Sequence, residues 1–578
     1  MAGPEGDRLI YVDMTDQSVS IESCPEEWKL LGGRGLSAKI LTADCDPTCD
    51  PLGPGNVLVL APGVMSGTTA PTSGRISVGC KSPLTGGIKE ANAGGNPGQH
   101  LMKLGFRAII VKGQPSDTGK RYGLEVDENG VRVVAADDYK GLWNYAACEK
   151  LLANYSKNAS AISIGPAGEL GLSGASVACT DQDQERRPAR HAAPGGVGAG
   201  MGSQCLKWVA IDPGKAKNRK AADSKSFNAQ NKKYSKDYLD GPQMFKTGTS
   251  SVVPVANMLN TFVYKNRTEG QSPDVANLDG ARIVESFETN GGGMHNCMTG
   301  CIVSCSNIVH DADGNYKTSA LEFETLTLLG ASCAIDSWEK VAELDRLCDE
   351  VGLDTIETGA AIAILMDSGG MEWGDATGAA GLIKEIAEGT ERGRAIGNGA
   401  VATGKHRKHA RVPHSRGQAI PAWDPRPLKA TGITYAAGPM GADHTAGLIV
   451  NPGLIDPTEQ AQASQECQLV NAVCDSSGFC QFLQPSLDDI RGYYTMLYGE
   501  EVTREQINDQ GWEILQDEWA FNAAAGWKDE DNVLSDCLIN EGIGPDNAMK
   551  FDVAIETVNL SKERFAPREE LFSMKASG

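Results

Sequence analysis

The stretch His295-Asn296-Cys297-Met298-Thr299-Gly300-Cys301-Ile302-Val303-Ser304-Cys305 places three of the chain's sixteen cysteines within nine residues, spaced C-x3-C-x3-C, just after the glycine run Gly291–Gly293. On one continuous helix, the first and last of these thiols would be separated by about 12 Å, at ~1.5 Å of rise per residue. That is too far for three thiolates to hold one compact metal centre. A metal-binding reading therefore requires a loop or a broken helix, with Gly300 and Ser304 as the residues that allow a bend. An iron–sulfur cubane takes four cysteine thiolates, so a fourth has to come from elsewhere. The alternative is a buried run of small apolar thiols, and spacing alone does not choose between the two.

The chain has 578 residues, 40% of them hydrophobic and 22% charged, the composition of an ordinary globular protein too long for one core. Its longest apolar candidate, Val57 to Met65, is interrupted by Pro62 and Gly63, so no membrane span is expected. The first residues, MAGPEGDRLI, lack a cationic start followed by an apolar run, so no secretory signal is expected. Cysteines scattered over such a chain argue for reduced thiols and metal ligation over a disulfide framework. The expected location is cytoplasmic. A formal charge of −22 argues against general nucleic-acid binding. Two basic runs stand out against it, Lys215 to Lys236 and Lys405 to Arg416. Each reads either as a solvated surface or as a docking face for an acidic partner such as a ferredoxin.

Residues 1–211 read as a β-rich domain. Short β-branched runs begin at Leu9, Val57, Ile76, Ala108, Tyr122, Val131 and Ala161, punctuated by Gly, Pro, Asp and Asn. Between them lie small-residue segments, among them Gly32–Leu36, Pro71–Arg75, Ala91–Gly98, Gly165–Gly168 and Pro194–Gly202. None is a P-loop or a dinucleotide fingerprint. Together they describe loops whose backbone amides line a large polar or phosphorylated ligand, with Arg75 and Arg190 placed to pair with phosphate. After residue 212 the pattern turns helical. Trp338, Val341, Leu344, Leu347, Cys348 and Val351 recur at helical spacing behind a cap at Asp336 or Ser337, and residues 355–367 form a second, more buried helix. The stretch 402–418 reads as a basic connector. Helical patterns resume from Ile420, clearest at 464–474 and 517–525, so the expected fold is α+β: a β-rich domain, then mainly α-helical domains over 212–418 and 419–578.

Asp349-Glu-Val-Gly-Leu-Asp354 and Asp475-Ser-Ser-Gly-Phe-Cys480 share the pattern D-x-x-G-[L/F]-[D/C], and each ends an amphipathic helix. Two copies suggest two similar ligand halves gripped by two similar loops. The second copy ends in Cys480, which supplies a fourth thiolate. With these motifs, and with GGRGLSAKIL, LAPGVMSGTTAPTSGR, KSPLTGGIKEANAGG, SIGPAGE, GGVGAGMGS, EFETLTLLG and GADHTAG in the same order, the sequence resembles the tungsten-dependent aldehyde:ferredoxin oxidoreductase family from its N-terminus to about residue 530.

The resemblance implies a tungsten bis-pyranopterin centre, with molybdenum equally allowed because the protein supplies no direct ligand to that metal. It implies that the β-rich domain is pterin-binding and that Cys297, Cys301, Cys305 and Cys480 hold a [4Fe–4S] cluster. Asp349, Leu353, Asp354, Asp475 and Cys480 would grip the two pterins. Arg75 and Asn92 would contact the pterins and a Mg2+ ion bridging their phosphates. Glu324 and His444 match an acid–base pair beside the metal, a carboxylate to take a proton from water and an imidazole to hold a carbonyl. The implied reaction oxidises an aldehyde to its acid and passes electrons to a ferredoxin-like acceptor or an iron–sulfur electron-transfer subunit. A low-potential acyl-CoA reductase of the same superfamily and a non-catalytic iron–sulfur scaffold are the competing readings.

Three departures from the family pattern are visible. The first cysteine interval is one residue longer than the family's C-x2-C, which puts the weight of the question on Cys297. Arg346 of Glu343-Leu-Asp-Arg346 stands where the family's Glu-x-x-His places a histidine that bridges subunits through a metal, so a dimer built that way is not expected. Pro194-Gly195-Gly196 replaces Arg-Gly-Gly and follows an insertion, Asp181 to Arg190.

Overall fold

The β-branched runs of the first 212 residues become twelve strands: β1 (Arg8–Asp13), β2 (Ser18–Ser23), β3 (Leu58–Pro62), β4 (Ile76–Lys81), β5 (Ile88–Ala93), β6 (Phe106–Lys112), β7 (Tyr122–Asp127), β8 (Gly130–Ala135), β9 (Ser160–Ser163), β10 (Val177–Cys179), β11 (Arg190–Ala192) and β12 (Leu206–Asp212). The computed structural model describes residues 7–577. Residues 1–6, part of the stretch read for a secretory signal, lie outside the described residues. The strands form two six-stranded sheets ordered β2-β1-β6-β3-β4-β5 and β8-β7-β12-β9-β10-β11. Each strand of the first sheet has its counterpart six strands later. The senses repeat as well: β1 and β6 run parallel, as do β7 and β12, and the remaining neighbours are antiparallel. The N-terminal region is thus one sheet topology used twice. Ile10, Leu60, Val78 and Ile109 of the first sheet share one core with Leu124, Ile162, Val209 and Ile211 of the second, so the sheets pack face to face.

Three segments read as loops are partly regular structure. Gly33–Asp44 (α1), Pro97–Lys103 and Val197–Ser203 are helices, and Ala91–Ala93 completes β5. Their glycines serve close approach more than flexibility. A Cβ on Gly198 would sit 2.3 Å from the Ser176 carbonyl oxygen, and one on Gly202 would sit 1.9 Å from that of Gly168.

The helical remainder is anchored to this double base by two helix ends. Helix α2 (Ser224–Asp240) opens it; α3 (Trp338–Val351) begins at a Ser337 cap and stops at Gly352, and α4 (Pro457–Ser477) begins at Asp456 and stops at Gly478. Both glycines are left-handed, φ +77° and +86°, the usual way a helix is terminated. Gly478 packs on Gly63 at the end of β3, and Gly352 packs on Gly165 at the end of β9. Matching backbone hydrogen bonds lock the two contacts: Arg75 N to Gly478 O at 3.2 Å, and Ser176 N to Gly352 O at 2.9 Å. The two D-x-x-G motifs therefore dock at equivalent places on the duplicated sheets. Helix α4 then buries Leu469 and Val473 against Leu36 and Ile40 of α1 and Ile514 and Leu515 of α5 (Arg504–Ala524).

The stretch 402–418 is not a loose connector. Residues Ala400–Arg407 are helical and His414–Ser415 pairs with Gln418–Ala419 as a short hairpin. Buried Glu357 holds both ends, accepting from Ala400 N at 2.8 Å and Ala419 N at 2.9 Å. No helix among the described residues is long and apolar enough to cross a membrane.

Buried ion pairs tie the helical part to the first sheet. Arg34 of α1 forms a two-pronged pair with Glu518 of α5 at 2.8 and 2.7 Å, and Lys89 of β5 pairs with Asp443, both side chains nearly without solvent contact. Burial opposes ionisation of Asp443, but Lys89, His444 and a hydrogen bond from Thr445 outweigh it and hold its pKa at about 2. A depressed carboxylate contributes stability that is present above its ordinary pKa and lost as pH falls through the folded value. In denaturant titrations Lys89→Met should therefore cost about 3–5 kcal/mol at neutral pH by stranding Asp443. The gap to wild type should shrink between about 3.8 and about 2. A gap independent of pH would mean the pair does not carry this stability. Gly63→Ala, whose Cβ would meet Gly478 at 2.1 Å, should prevent correct docking of α4 and leave the protein unfolded or aggregated. Gly381→Ala, in the helix Ala376–Glu388 with nothing within 4 Å, should stabilise by about 0.5–1 kcal/mol.

Candidate active site

Strands β13 (Gly292–His295) and β14 (Ser306–His310) pair antiparallel, with His295 opposite Ser306, and β15 (Tyr316–Ser319) extends the sheet. The cysteine run is thus the loop of a hairpin. The longer first interval is taken up by a turn: Cys301 N donates to Met298 O at 3.2 Å and Gly300 has φ +81°, with Ser304 also left-handed at +56°. Thr72 fastens this loop from two sides, its N–H to Gly300 O at 2.9 Å and its hydroxyl oxygen accepting from Ile302 N at 3.0 Å. The Thr72 carbonyl also accepts from Cys480 N at 2.9 Å, so one residue of the first sheet's loop holds both cysteine segments.

The Cys297, Cys301, Cys305 and Cys480 thiols form one electrostatic cluster. The Cys301 contact, then Arg190 and Arg75, draw Cys297 below the usual thiol value against its burial. Burial, aided by Glu322 and then Cys480, pushes Cys305 well up. Burial also raises Cys480, opposed by Arg75, whose Nη1 lies 3.9 Å from its sulfur. All sixteen cysteines are free thiols. Among the described residues no three His, Cys, Asp or Glu side chains converge as ligands of a single metal ion. Four thiols neighbouring one another without converging on one point suit a polynuclear centre, in which each thiolate stands on its own iron.

Beside them opens a cavity of about 870 Å3 walled by both sheets and the helical part. Arg75, Asn92, Arg190, Cys297, Cys305, Glu324, Asp349, Leu353, Asp354, His444 and Cys480 all reach its wall. Cys301 and Asp475 do not. The Asp475 carboxylate stands behind the wall, 3.9 Å from Arg34 and accepting from Gln481 Nε2 at 3.0 Å. Asp354 reaches the wall, but its two oxygens cap the helix Thr355–Asp367, accepting from Ile356 N and Glu357 N. Burial lifts it to about 7 against those bonds. Leu353 bridges Ala175 through its backbone.

The duplication aligns the polar groups of the two halves. Strand register makes Arg75 and Asn92 of the first sheet equivalent to Ser176 and His191 of the second. In each half the two side chains bond each other, Arg75 Nε to Asn92 Oδ1 and Ser176 Oγ with His191 Nδ1 at 2.7 Å. His191 Nε2 then meets Asp349 Oδ1 at 3.2 Å, and burial together with Asp345 raises Asp349 well above the carboxylate range.

Several site residues carry no motif. Asp181, inside the insertion, accepts from His295 at 2.7 Å and stands 2.9 Å from Arg190 Nε, while Arg190 Nη1 donates to Ser306 Oγ at 2.7 Å. The insertion thus braces the base of the cysteine hairpin. Arg190 lines the cavity, and its Nη2 is buried without a hydrogen-bond partner. Glu322 lies on the wall with Thr249 donating to it. It sits two residues before Glu324, a spacing visible in Leu-Glu-Phe-Glu, and only the fold shows that both point into the cavity.

Glu324 lies on a single helical turn, Phe323–Thr325, followed by a π turn at Leu326–Gly330, a distortion frequent at functional sites. Ala422 N holds its Oε2 at 2.7 Å, while Oε1 is buried without a hydrogen-bond partner. His444 follows the Asp443 cap and brings Nε2 to 3.7 Å from Glu324 Oε1, beyond hydrogen-bond range, with Nδ1 buried and unpartnered. Burial raises Glu324 above the ordinary carboxylate value, opposed by His444 and the Ala422 N–H.

Two family models, described as the N-terminal domain and as domains 2 and 3 of aldehyde ferredoxin oxidoreductase, match residues 9–213 and 226–561. Tungsten-containing aldehyde ferredoxin oxidoreductases of Pyrococcus furiosus and Thermococcus kodakarensis are each 29% identical over 556 residues, covering 90% of this chain and 89% of theirs. The WOR-like subunit of an aliphatic sulfonate oxidoreductase of Pyrococcus furiosus is 25% identical, covering 88% of this chain and 84% of its own. The solved active-site complex BamBC of benzoyl coenzyme A reductase shares the fold, with a TM-score of 0.77 at 17% identity over 92% of this chain and 90% of that one. The chain belongs to the aldehyde ferredoxin oxidoreductase family of enzymes.

Proposed function

We propose that this enzyme oxidises an aldehyde with an apolar body to the carboxylic acid. The observation that carries the reading is the pair Glu324 and His444, two side chains that line one cavity and each keep a buried polar atom without a hydrogen-bond partner. The cofactor proposed is a tungsten bis-pyranopterin, with molybdenum as the alternative metal, together with a [4Fe–4S] cluster. When bound, these groups supply a two-electron sink beside the substrate and a one-electron outlet to a ferredoxin-like acceptor.

The donor set fits them. Cys297, Cys301, Cys305 and Cys480 would hold the cluster. Asp349, Leu353 and Asp354 would grip one pterin and Cys480 the other, with Asp475 acting from behind the wall through Gln481. Arg75, Asn92 and Arg190 would take the phosphates and their Mg2+ ion, using the buried N–H that Arg190 leaves unpaired.

The residues divide the proton work. Ala422 pins Glu324 Oε2, so Oε1 is the basic atom that accepts a proton from the water adding to the aldehyde carbon. His444 donates a ring N–H to the carbonyl oxygen and holds it. Phe323 and Trp423, with ring centroids 4.9 Å apart, exclude bulk water from one wall. The exposed apolar residues Met244, Val255 and Val450 form the mouth. Among the described residues, the lysine or arginine side chains on the wall are Arg75 and Arg190, both buried at the cysteine side.

A base must be ionised to act, so the rate falls as pH drops through the raised Glu324 pKa. The acid limb of kcat/KM should lie above the ordinary carboxylate range near ~4.3. Glu324→Gln should lower viologen-coupled aldehyde oxidation by ~10²–10⁴-fold and abolish that limb, with metal and pterin content unchanged. Near-normal turnover would remove Glu324 from the mechanism. No viologen reduction by metal-replete wild type across aliphatic and aromatic aldehydes would sink the proposed activity. Cys480→Ser should lose iron; unchanged iron content and an unchanged paramagnetic signal would take Cys480 out of the ligand set.

A further inference from the structure

The segment 214–246 inverts the charge of the molecule. It holds nine basic and three acidic residues, a net +6 in a chain of net −22. Lys215, Lys217, Lys220, Lys225, Lys232 and Lys246 are exposed and make no ion pair among the described residues. Residues 214–225 fall between the two stretches matched by the family models.

The segment lies over the cysteine cluster. Arg219 N donates to Gly67 O at 2.7 Å, and Asn231 Nδ2 to Thr69 O at 2.9 Å. Both bonds land on the loop whose Thr72 fastens the cysteine hairpin and Cys480. Further along α2, the Tyr234 hydroxyl donates to Leu483 O at 3.4 Å, three residues beyond Cys480. Tyr238 lies within electrostatic range of Cys305, Cys480 and Cys301. Phe245 stacks on Phe482 at 4.5 Å between ring centroids. Leu239 at 48% and Met244 at 62% exposure add uncovered apolar surface to the same segment.

We propose that the surface of residues 214–246 is the docking face for an acidic, one-electron iron–sulfur carrier protein. The inference rests on the functional reading above and adds to it where the carrier binds. An acidic carrier is repelled by most of this protein, so a cationic face above the thiols selects both partner and orientation. Oxidation of one aldehyde with one water to the acid releases two protons and two electrons, and each electron reduces one docked carrier. Leu239 supplies exposed apolar contact in the same segment as the lysines, an arrangement suited to a partner that must also leave.

The test uses the holoenzyme with an acidic bacterial-type ferredoxin as probe. Kd is measured across ionic strength, and steady-state reduction of ferredoxin is compared with that of a viologen. Lys225→Glu/Lys232→Glu should raise Kd and the KM for ferredoxin roughly tenfold or more and flatten their salt dependence. Viologen reduction should be unchanged. The matched control Lys384→Glu/Lys405→Glu, exposed on other helices, should leave ferredoxin binding as in wild type. If the patch variant stays within about twofold of wild type, or the control moves binding equally, the surface is not the docking face. Loss of binding to anionic lipid vesicles or RNA with ferredoxin binding intact would also overturn it. A wild type that binds ferredoxin through these lysines but oxidises no aldehyde with viologen would refute the functional reading alone.

Discussion

Two contacts between glycine backbones set the geometry of this molecule: Gly478 on Gly63 and Gly352 on Gly165. Each occurs where a helix stops in the left-handed conformation against the end of a strand, and no side chain fits between. Because β3 and β9 hold equivalent places in two copies of one sheet, the contacts present the two D-x-x-G motifs in equivalent poses. Everything that follows each glycine is placed by it, including Leu353 and Asp354 in one half and Phe479 and Cys480 in the other.

The halves are not identical, and the differences divide the labour. One motif ends in Asp354, spent on capping a helix; the other ends in Cys480, among the thiols of the hairpin loop. Arg75 lies beside Cys480, whereas its counterpart Ser176 contacts His191. The first half thus sets Arg75 beside Cys480, while the second divides its groups between the cysteine hairpin, through Asp181 and Arg190, and the carboxylate Asp349, through His191. Glu324 and His444 come from the helical part, held by Ala422 and by the Lys89–Asp443 pair reaching up from β5. Burial is the common electrostatic theme: it raises Glu324, Asp349 and Asp354, whereas Asp443, paired with a lysine, resists it.

Much of this was legible in the residues. The β-branched runs marked seven of the twelve strands, and the 3.6-residue spacing from Trp338 marked α3 with its serine cap. Helical rise required the cysteine run to bend if its thiols were to share one metal centre, and Gly300 and Ser304, the residues that allow a bend, are left-handed. The sheet duplication was hidden because strands of the same topology need only apolar inward faces: Arg75 against Ser176 and Asn92 against His191 leave no sequence trace. Glycine misled where it serves close packing, as at Gly198 and Gly202, because the same residue that permits a flexible loop permits a helix to touch a neighbouring backbone. Stretch 402–418 read as a connector because its anchor, Glu357, lies far away in sequence. Asp181 was invisible for the same reason, its partners His295 and Arg190 being joined to it only by the fold.

Two equivalent helix-end cradles and one four-thiol cluster amount to a stoichiometric claim. Quantifying tungsten, molybdenum, iron and pterin in anaerobically purified protein tests it most directly. The account predicts two pterins and one tungsten or molybdenum atom per chain, with about four irons. Iron with neither metal nor pterin, or one pterin per metal atom, would contradict it.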